Sequence, residues 1–195
     1  MKKESRVYLR ALELDDYKTS IKWRNDDSIW SQLGGVKYFV SEAYEKKWVE
    51  EAIFNPNVIR LAICLKENDL YIGNVYILDI NLIDRKGNSH IFIGNKEYWG
   101  KGYATEVYML LLEYAFCERG FHRIGAHVLE DNKASIALHK KCGFSCDGVF
   151  RKATFKNGRW QNQFVFSILE EEFFAMQKAS AETTQDCIKP SYLHP

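Results

Sequence analysis

The sequence has almost no net charge and no long apolar run, and each shortage excludes a class of protein. Its 27 lysines and arginines balance 26 aspartates and glutamates, which gives a formal net charge of +1. We therefore expect no nucleic-acid partner, because such partners select a basic surface. No apolar run approaches the roughly 20 residues that a membrane span needs, so we expect no membrane partner. Residues 1–6 are not followed by the apolar stretch of a signal peptide, so we expect a cytoplasmic protein.

The cysteines are few for a fold held together by disulfides. They are odd in number and scattered along the chain: Cys64, Cys117, Cys142, Cys146 and Cys187. A chain of 195 residues can bury a hydrophobic core large enough to be stable without disulfide bonds, so we expect free thiols. Cys142 and Cys146 have no second pair and no well-spaced histidines, and we expect no metal site. Uniform composition predicts a single domain over residues 1–178, and the aperiodic residues 179–195 predict a flexible tail.

Periodicity and turn residues predict an alternation of strands and helices. The predicted strands are residues 7–14, 59–65, 71–80, 89–94, 123–129, 147–155 and 160–169. The predicted helices lie between Asp15 and Arg24, between Ser41 and Pro56, at residues 105–119, between Asn132 and Gly143, and at residues 170–178. The second helix is expected to bury Tyr44, Trp48, Val49 and Ala52 on one side. Residues 25–40 are expected to form a loop rather than a regular element.

Residues 91–119 change from an apolar strand to a glycine turn and then to helical spacing. Such a turn exposes N–H groups and leads them into the positive end of a helix dipole, where an anion binds. Because Gly100 and Gly102 lack side chains, a phosphate can approach the backbone closely, and we expect a pyrophosphate site. The dinucleotide pattern would need a glycine at Thr105, and the Walker pattern would need Ser or Thr after Lys101. Spacing therefore excludes both.

The string W-G-K-G-Y-A-T-E resembles the acyl-CoA loop of the GNAT N-acetyltransferases, whose pattern is Q/R-x-x-G-x-G/A. The longer Y-W-G-K-G-Y-A-T-E resembles the RimJ/RimL-like branch, although Trp99 stands where the family has Gln or Arg. Farther along, E-D-N-K-A-S and S-I-A-L-H-K-K-C-G-F resemble the family's N-x-x-S segment and the helix that follows. Residues 133–166 are also similar to spermidine and amino-sugar acetyltransferases. The resemblance covers residues 7–169.

This resemblance implies an α+β GNAT fold with a mixed central sheet of about six to seven strands, flanked by helices. The sheet would combine an antiparallel meander with one parallel pair at the acetyl-CoA site. The cofactor would be acetyl-CoA, with CoA as product. The backbone at residues 94–96 would face the acetyl carbonyl. The implied cofactor-binding residues are Ile93, Gly94, Asn95, Trp99, Gly100, Lys101, Gly102, Tyr103, Ala104, Thr105, Asn132 and Ser135.

The resemblance implies an N-acetyltransferase whose amine acceptor attacks the thioester directly. The acceptor stays open among a protein N-terminus, a polyamine and an amino sugar, that is, a peptide or a small molecule. Two interpretations from other classes also stay open: an acyl-CoA-binding sensor with little turnover, and a nucleotide-binding module. A homodimer is one assembly that the sequence allows.

Acetyl transfer needs a base for the amine proton and an acid for the thiolate. His139 replaces the family's tyrosine and is the candidate acid, because histidine titrates near neutrality; a structural helix histidine is the alternative. His90, on the strand before the glycine turn, is the candidate base, and His127 and Glu130 are the other candidates. Cys142 is expected to be a buried thiol rather than a nucleophile.

The segment after the first helix is the candidate acceptor site, because the family uses that region to line its acceptor cleft. Aromatic rings and carboxylates together can hold an ammonium group. A surface loop whose rings pack on the core is the alternative. The candidate residues are Trp23, Arg24, Asn25, Asp26, Trp30 and Tyr38.

Overall fold

The computed structural model describes residues 4–35 and 37–181. Its strands are β1 (Val7–Ala11), β2 (Ile59–Leu65), β3 (Tyr71–Asn81), β4 (Lys86–Ile93), β5 (Arg123–Leu129), β6 (Ser145–Lys156) and β7 (Arg159–Leu169). They form one seven-stranded sheet in the order β1-β2-β3-β4-β5-β7-β6. Neighbours pair antiparallel, except β4 and β5, which are parallel. The predicted meander and single parallel pair are confirmed.

Helices supply a core on each face of the sheet. They are α1 (Tyr17–Arg24), α2 (Asp27–Trp30), α3 (Glu42–Phe54), α4 (Tyr103–Glu113), α5 (Lys133–Lys141) and α6 (Glu170–Ala181). Alternation along β2 sends Ile63 and Leu65 into the core that contains α4, and Ala62 and Cys64 into the core that contains α1 and α3. None of the helices in the described part of the chain has the length and apolar character of a membrane span.

The parallel pair separates soon after it begins, and this separation positions the site. The ladder between β4 and β5 joins Lys86–Asn88 to Arg123–Gly125 and goes no farther. Both strands continue beyond it, β4 to Ile93 and β5 to Leu129. A gap therefore opens between their carboxyl ends, where the chain leads toward α4 and α5.

Residues 25–40 were expected to be a loop, and that expectation is wrong for residues 27–30. Asp26 caps α2, and its carboxylate accepts a hydrogen bond from the N–H of Ser28 at 2.9 Å. The single turn buries Ile29 and Trp30 against the rest of the fold. An element of four residues is too short to show a helical period.

Several other boundaries differ from the prediction for local physical reasons. Helix α4 begins at Tyr103 rather than 105, because Gly102 takes a left-handed φ of +86° as its N-cap. The chain then winds as a π-helix over Tyr114–Glu118. In α3, Tyr44 is exposed, whereas Glu45 is fully buried because it bonds to charged and hydroxyl groups of α1.

The C-terminal helix α6 runs to Ala181, so residues 179–181 of the predicted tail are helical. The rest of that tail, with Cys187, lies outside the described residues. The single domain over residues 1–178 stays a prediction.

Candidate active site

Two cavities meet at the gap between β4 and β5. The glycine-turn cavity, of about 610 Å³, lies between the start of α4 and the face of α5. The arginine cavity, of about 460 Å³, lies on the side of α1 and α3 and contains Arg24 and Arg60. Residues at the junction line both cavities: Gln32, Leu33, Ile91, Phe92, Asn132 and Ser135. A group held in one cavity can therefore meet a group held in the other.

The glycine-turn cavity is lined by most of the turn identified from sequence: Trp99, Gly100, Gly102, Tyr103, Ala104 and Thr105. Gly100 and Gly102 have φ of +69° and +86°, which favours glycine at both positions. No atom lies within 4 Å of a Cβ built on Gly100. Among the described residues, the N–H groups of 100–104 have no backbone acceptor, while that of Thr105 donates to the Gly102 carbonyl at 3.1 Å. Free N–H groups beside open space suit a phosphate.

Arg6 fixes this turn from the N-terminal end of the chain. Its Nε donates to Glu106 Oε1 at 2.8 Å, and an Nη donates to the Lys101 carbonyl at 2.9 Å. The guanidinium also lies 3.9 Å from the centre of the Tyr103 ring. Sequence reasoning missed Arg6, and no local pattern could have linked it to a turn about 95 residues away.

Gly94 and Asn95 were expected to present N–H groups to the acetyl carbonyl, and this expectation is wrong. Both N–H groups donate to the Ile72 carbonyl, at 2.8 and 3.0 Å. Because N–H groups alternate between the edges of a strand, those of Ile91 and Ile93 point to the other edge, toward the gap. The N–H and the carbonyl of one strand residue point to the same edge. The Ile93 carbonyl accepts a hydrogen bond from Trp99 Nε1 at 2.7 Å, on the side of the gap.

Three residues of the predicted cofactor set do not line the glycine-turn cavity. A Cβ on Gly94 would overlap the ring of Trp23, so this glycine serves packing. The side chain of Asn95 caps a short turn by accepting from the N–H of Glu97 at 3.1 Å. Lys101 is exposed. Ile93 lines the cavity as predicted.

Asn132 and Ser135 combine a structural role with a place at the junction. Asn132 Oδ1 caps α5 by accepting from the N–H of Ser135 at 2.9 Å. Its Nδ2 donates to the Gln32 carbonyl at 2.9 Å, which ties α5 to the segment after α2. A capping role and a place beside the cofactor are therefore compatible at these positions.

His139 is buried, with 2% of its surface exposed, and both ring nitrogens are engaged. Nδ1 lies 2.7 Å from the Ser135 carbonyl oxygen, and Nε2 lies 2.8 Å from the Tyr108 hydroxyl. The Ser89 hydroxyl lies 3.3 Å from that of Tyr108, which extends the network to β4. Burial lowers the pKa of His139 below its usual value. His139 nevertheless lines the arginine cavity. Its hydrogen bonds agree with the structural alternative, and its role as the acid stays a prediction.

The base candidates lie in different surroundings. His90 and His127 both line the arginine cavity. Loss of hydration lowers the pKa of His90, with His127 acting in the same direction and Asp79 opposing. Glu130 accepts from the N–H and the side-chain amide of Asn162, at 2.9 and 3.0 Å, and lines neither cavity.

Cys142 is fully buried, and burial raises the pKa of its thiol to about 12. The expectation of a buried structural thiol is confirmed. Elsewhere, His122, Glu170 and Glu171 bring three possible ligand atoms within 4.8 Å of one another at the surface. Arg85 already lies 3.3 Å from the Glu170 carboxylate and competes with any cation there.

Two of the predicted acceptor residues, Arg24 and Trp30, line the arginine cavity. Arg24 bonds through Nε to Glu45 at 3.2 Å and lies 4.4 Å from the centre of the Trp48 ring. Trp30 is buried and donates its indole N–H to the Arg24 carbonyl. Its ring therefore fixes the segment that carries Arg24.

The other predicted acceptor residues lie outside both cavities. Trp23 is buried, with its ring 4.8 Å from that of Tyr71. Asn25 bonds through its side chain to the backbone of Val40. Asp26 caps α2 and lies 2.6 Å from Lys96, whose ammonium lowers the pKa of Asp26 to about 2. Tyr38 is 63% exposed. The structure gives each of these four residues a local structural role or an exposed position, and their assignment to the acceptor stays a prediction.

Sequence reasoning missed Arg60, Tyr76 and Tyr108, which also line the arginine cavity. Arg60 had a usable signal, since it is the one charged residue in the apolar run I-R-L-A-I-C-L of β2. Tyr108 had none, because a tyrosine on an amphipathic helix is ordinary core.

Comparison with known proteins agrees with this geometry. Residues 6–145 match the family model described as an acetyltransferase (GNAT) domain. The spermidine N(1)-acetyltransferase of Vibrio cholerae serotype O1 is 30% identical over 87% of this chain and 96% of its own length. The Escherichia coli K12 enzyme of the same name is 27% identical over 91% of this chain and 93% of its own length.

A solved structure extends the likeness to the fold. The spermidine N-acetyltransferase of Vibrio cholerae, in complex with CoA and spermine, superimposes with a TM-score of 0.81 at 28% identity. The match covers 87% of this chain and 98% of that one. The likeness to the RimJ/RimL branch stays a prediction. The chain belongs to the GNAT acetyltransferase family, and is an acetyl-CoA-dependent N-acetyltransferase that acts on a primary amine.

Proposed function

We propose that this enzyme acetylates a small-molecule amine that enters through the arginine cavity and meets the acetyl group at the junction. The observation that carries the proposal is the meeting of two cavities at the open ends of β4 and β5. The arginine cavity has the size of an ordinary small-molecule site, which ranges over roughly 300–1,000 Å³. Among the predicted acceptors, this favours a polyamine or an amino sugar over a protein N-terminus.

The glycine-turn cavity has the donors that CoA needs. The free N–H groups of residues 100–104 would hold the pyrophosphate, with the dipole of α4 adding to the attraction. Lys141 lines the same cavity and supplies a positive charge. Asn132 and Ser135 would border the pantetheine arm. When bound, the cofactor supplies the activated acetyl group, and the protein supplies orientation and electrostatics.

His90 is proposed to accept the proton from the amine, directly or through water. Its lowered pKa keeps the ring neutral near pH 7, and a neutral imidazole can take a proton. The N–H groups of Ile91 and Ile93 face the gap and would stabilise the oxyanion that forms there. Tyr108 and His139 are proposed to position the junction through their hydrogen bonds to β4 and α5.

Release of the CoA thiol from acetyl-CoA, measured across a panel of amines, tests the function. The panel holds spermidine, glucosamine, glucosamine 6-phosphate, β-alanine and peptides with Ala, Ser or Met N-termini. Turnover with a small amine and little with peptides is the expected result. If no amine causes release of the CoA thiol but the protein binds CoA, the acyl-CoA sensor would be favoured. Stabilisation by ATP but not by CoA would favour the nucleotide-binding module.

Localisation, partners and assembly complete the proposal. Cys64, Cys117, Cys142 and Cys146 are free, which agrees with a reducing cytoplasm. The near-zero net charge supports the absence of nucleic-acid and membrane partners. A homodimer would use the β6–β7 hairpin, where Phe155 and Trp160 are exposed. Sedimentation at several protein concentrations tests that assembly.

A further inference from the structure

We propose that the acceptor amine carries an oxyanion, a carboxylate or a phosphate, and that Arg60 with Arg24 binds this group at the far end of the arginine cavity. The inference rests on the proposed function and specifies its substrate class. It sets this chain apart from a polyamine enzyme, because a polyamine carries only positive charge.

Arg60 is a half-buried cation without a partner. Its Nε is buried and has no hydrogen bond. Among the described residues, no carboxylate lies within ion-pairing distance of its guanidinium, which lies 5.2 Å from the centre of the Trp48 ring. Desolvation lowers the pKa of Arg60, Tyr76 acts in the opposite direction, and the nearby charge of Arg24 lowers it further. A buried charge is costly unless something pairs with it, and a ligand can supply that pair.

Arg24 adds a second guanidinium on the same aromatic ring. Arg60 and Arg24 lie 5.2 and 4.4 Å from the centre of the Trp48 ring. Arg24 is partly neutralised by Glu45, whose carboxylate is also bonded to Ser20 at 2.6 Å. Glu45 is fully buried and does not line the cavity, so a ligand would meet the arginines and not this acid. Two planar guanidinium groups suit bidentate binding of a carboxylate or phosphate.

No Asp or Glu is among the residues that line the arginine cavity in the described part of the chain. Lys156 adds another cation nearby, since its ammonium donates to the carbonyl of Leu33, a lining residue. The carboxylate that acts on the pKa of His90 is that of Asp79, which accepts a hydrogen bond from the Asn88 side chain at 3.1 Å. Positive charge without lining carboxylates repels a polyamine and attracts an anion.

The register of the sheet sets the spacing of the two groups on the acceptor. Arg60 pairs with Tyr76 across β2 and β3, and Tyr76 pairs with His90 across β3 and β4. Directly paired residues share a face, so the three side chains form one row. Neighbouring strands lie about 4.8 Å apart, so the row spans roughly 10 Å at the backbone. Tyr76 lies between Arg60 and His90 in this row, so the acceptor must hold its amine apart from its oxyanion, as a hexosamine phosphate or an amino acid with an amine beyond the α position does.

Matched amine pairs test the inference. We compare kcat/KM for glucosamine 6-phosphate with that for glucosamine, and for β-alanine with that for β-alanine amide, and include spermidine. The anionic member of at least one pair is expected to exceed its neutral partner about tenfold or more, the phosphate and carboxylate pairs showing which oxyanion is preferred. Equal rates within both pairs, or a preference for spermidine, would overturn the inference while leaving the proposed function standing.

Arg60→Gln is the informative variant, because it removes a charge that has no ion-pair partner among the described residues. It should raise KM for the anionic amine about tenfold and leave the neutral amine nearly unchanged. Arg60→Lys should restore part of the preference. Arg24 is not used, because its removal would leave Glu45 buried and unpaired. Arg151→Gln, on the exposed surface of β6, is the matched control and should behave as wild type. An Arg60→Gln variant that keeps the wild-type preference overturns the inference.

Binding gives a second measurement that does not depend on turnover. Calorimetric titration uses glucose 6-phosphate, β-hydroxypropionate and glucose, which lack the amine. Binding of either anion that is lost in Arg60→Gln supports the inference, even if no amine is acetylated and the proposed function fails. Absence of binding by both anions, or binding that Arg60→Gln retains, overturns it.

Discussion

The hydroxyl of Tyr108 lies 2.8 Å from Nε2 of His139, and the two residues form a buried pair at the centre of the site. The carbonyl of Ser135, 2.7 Å from Nδ1, can only accept, so Nδ1 carries the proton. Nε2 then accepts from the Tyr108 hydroxyl. The His139 ring also stacks on Phe166 at 5.6 Å. Through these contacts the His139 ring fixes α5 against α4 and β7.

The neutral state of His139 predicts a stability that depends on pH. Because burial lowers the pKa of His139 in the folded protein, the unfolded chain binds the proton more tightly. Stability is therefore complete above the unfolded pKa of about 6.5 and falls as pH decreases through it toward the lower folded value. His139→Gln should lower stability by about 1–3 kcal/mol at pH 8, because a glutamine cannot keep both ring hydrogen bonds and the stacking on Phe166. The free energy of unfolding of the variant should also fall less steeply between pH 8 and pH 5 than that of the wild type.

Urea unfolding at several pH values measures both effects. His127→Gln, on the exposed side of β5, is the control and should keep the wild-type slope. An unchanged slope in His139→Gln would show that His139 does not titrate as a buried neutral group.

His90→Gln should lower kcat by about 100-fold, the lower end of what general-base catalysis contributes. The lowered pKa of His90 predicts that kcat/KM of the wild type falls as pH decreases through a value below 6.5. This fall of kcat/KM at acidic pH should be absent in the variant. The pH dependence that comes from protonation of the amine substrate should remain. A pH profile with the same acidic limb in His90→Gln would remove His90 from proton transfer.

The packing of Trp23 beneath Gly94 predicts a sharp cost for a single methyl group. A Cβ at position 94 would overlap the Trp23 ring, so Gly94→Ala should destabilise the fold by about 1–3 kcal/mol. Gly148→Ala is the matched control, because no atom lies within 4 Å of its added Cβ. Its effect should stay within about 0.5 kcal/mol. Similar shifts of the urea midpoint in the two variants would contradict this account of Gly94.

Much of the fold could be predicted because its signals are local. The glycine turn, the helix after it and the Asn157-Gly158 hairpin each occupy a short stretch with a distinct pattern. The cofactor side of the site follows from the same stretch. Trp99, Gly100 and Gly102 all line the cavity where the sequence placed them.

The acceptor side could not be predicted, because distant residues build it. The row of Arg60, Tyr76 and His90 depends on the register of three strands, which no single stretch encodes. Trp23 looked like a recognition aromatic, yet it is buried in the core, and burial depends on the whole fold. The N–H groups of Gly94 and Asn95 were misassigned because their shared acceptor, Ile72, lies on another strand.

The most direct test of the central claim is calorimetric titration of CoA into the wild type, Ala104→Glu and Ala43→Glu. Both alanines are the second residue of their helices. An acidic side chain there interacts favourably with the positive end of the helix dipole, so both variants should fold. Ala104 lines the glycine-turn cavity, whereas Ala43 is exposed at the start of α3. We predict that Ala43→Glu binds CoA as the wild type does and that Ala104→Glu binds at least about tenfold more weakly, because its carboxylate repels the pyrophosphate. Equal affinity in Ala104→Glu and Ala43→Glu would show that CoA binds elsewhere and would contradict the account.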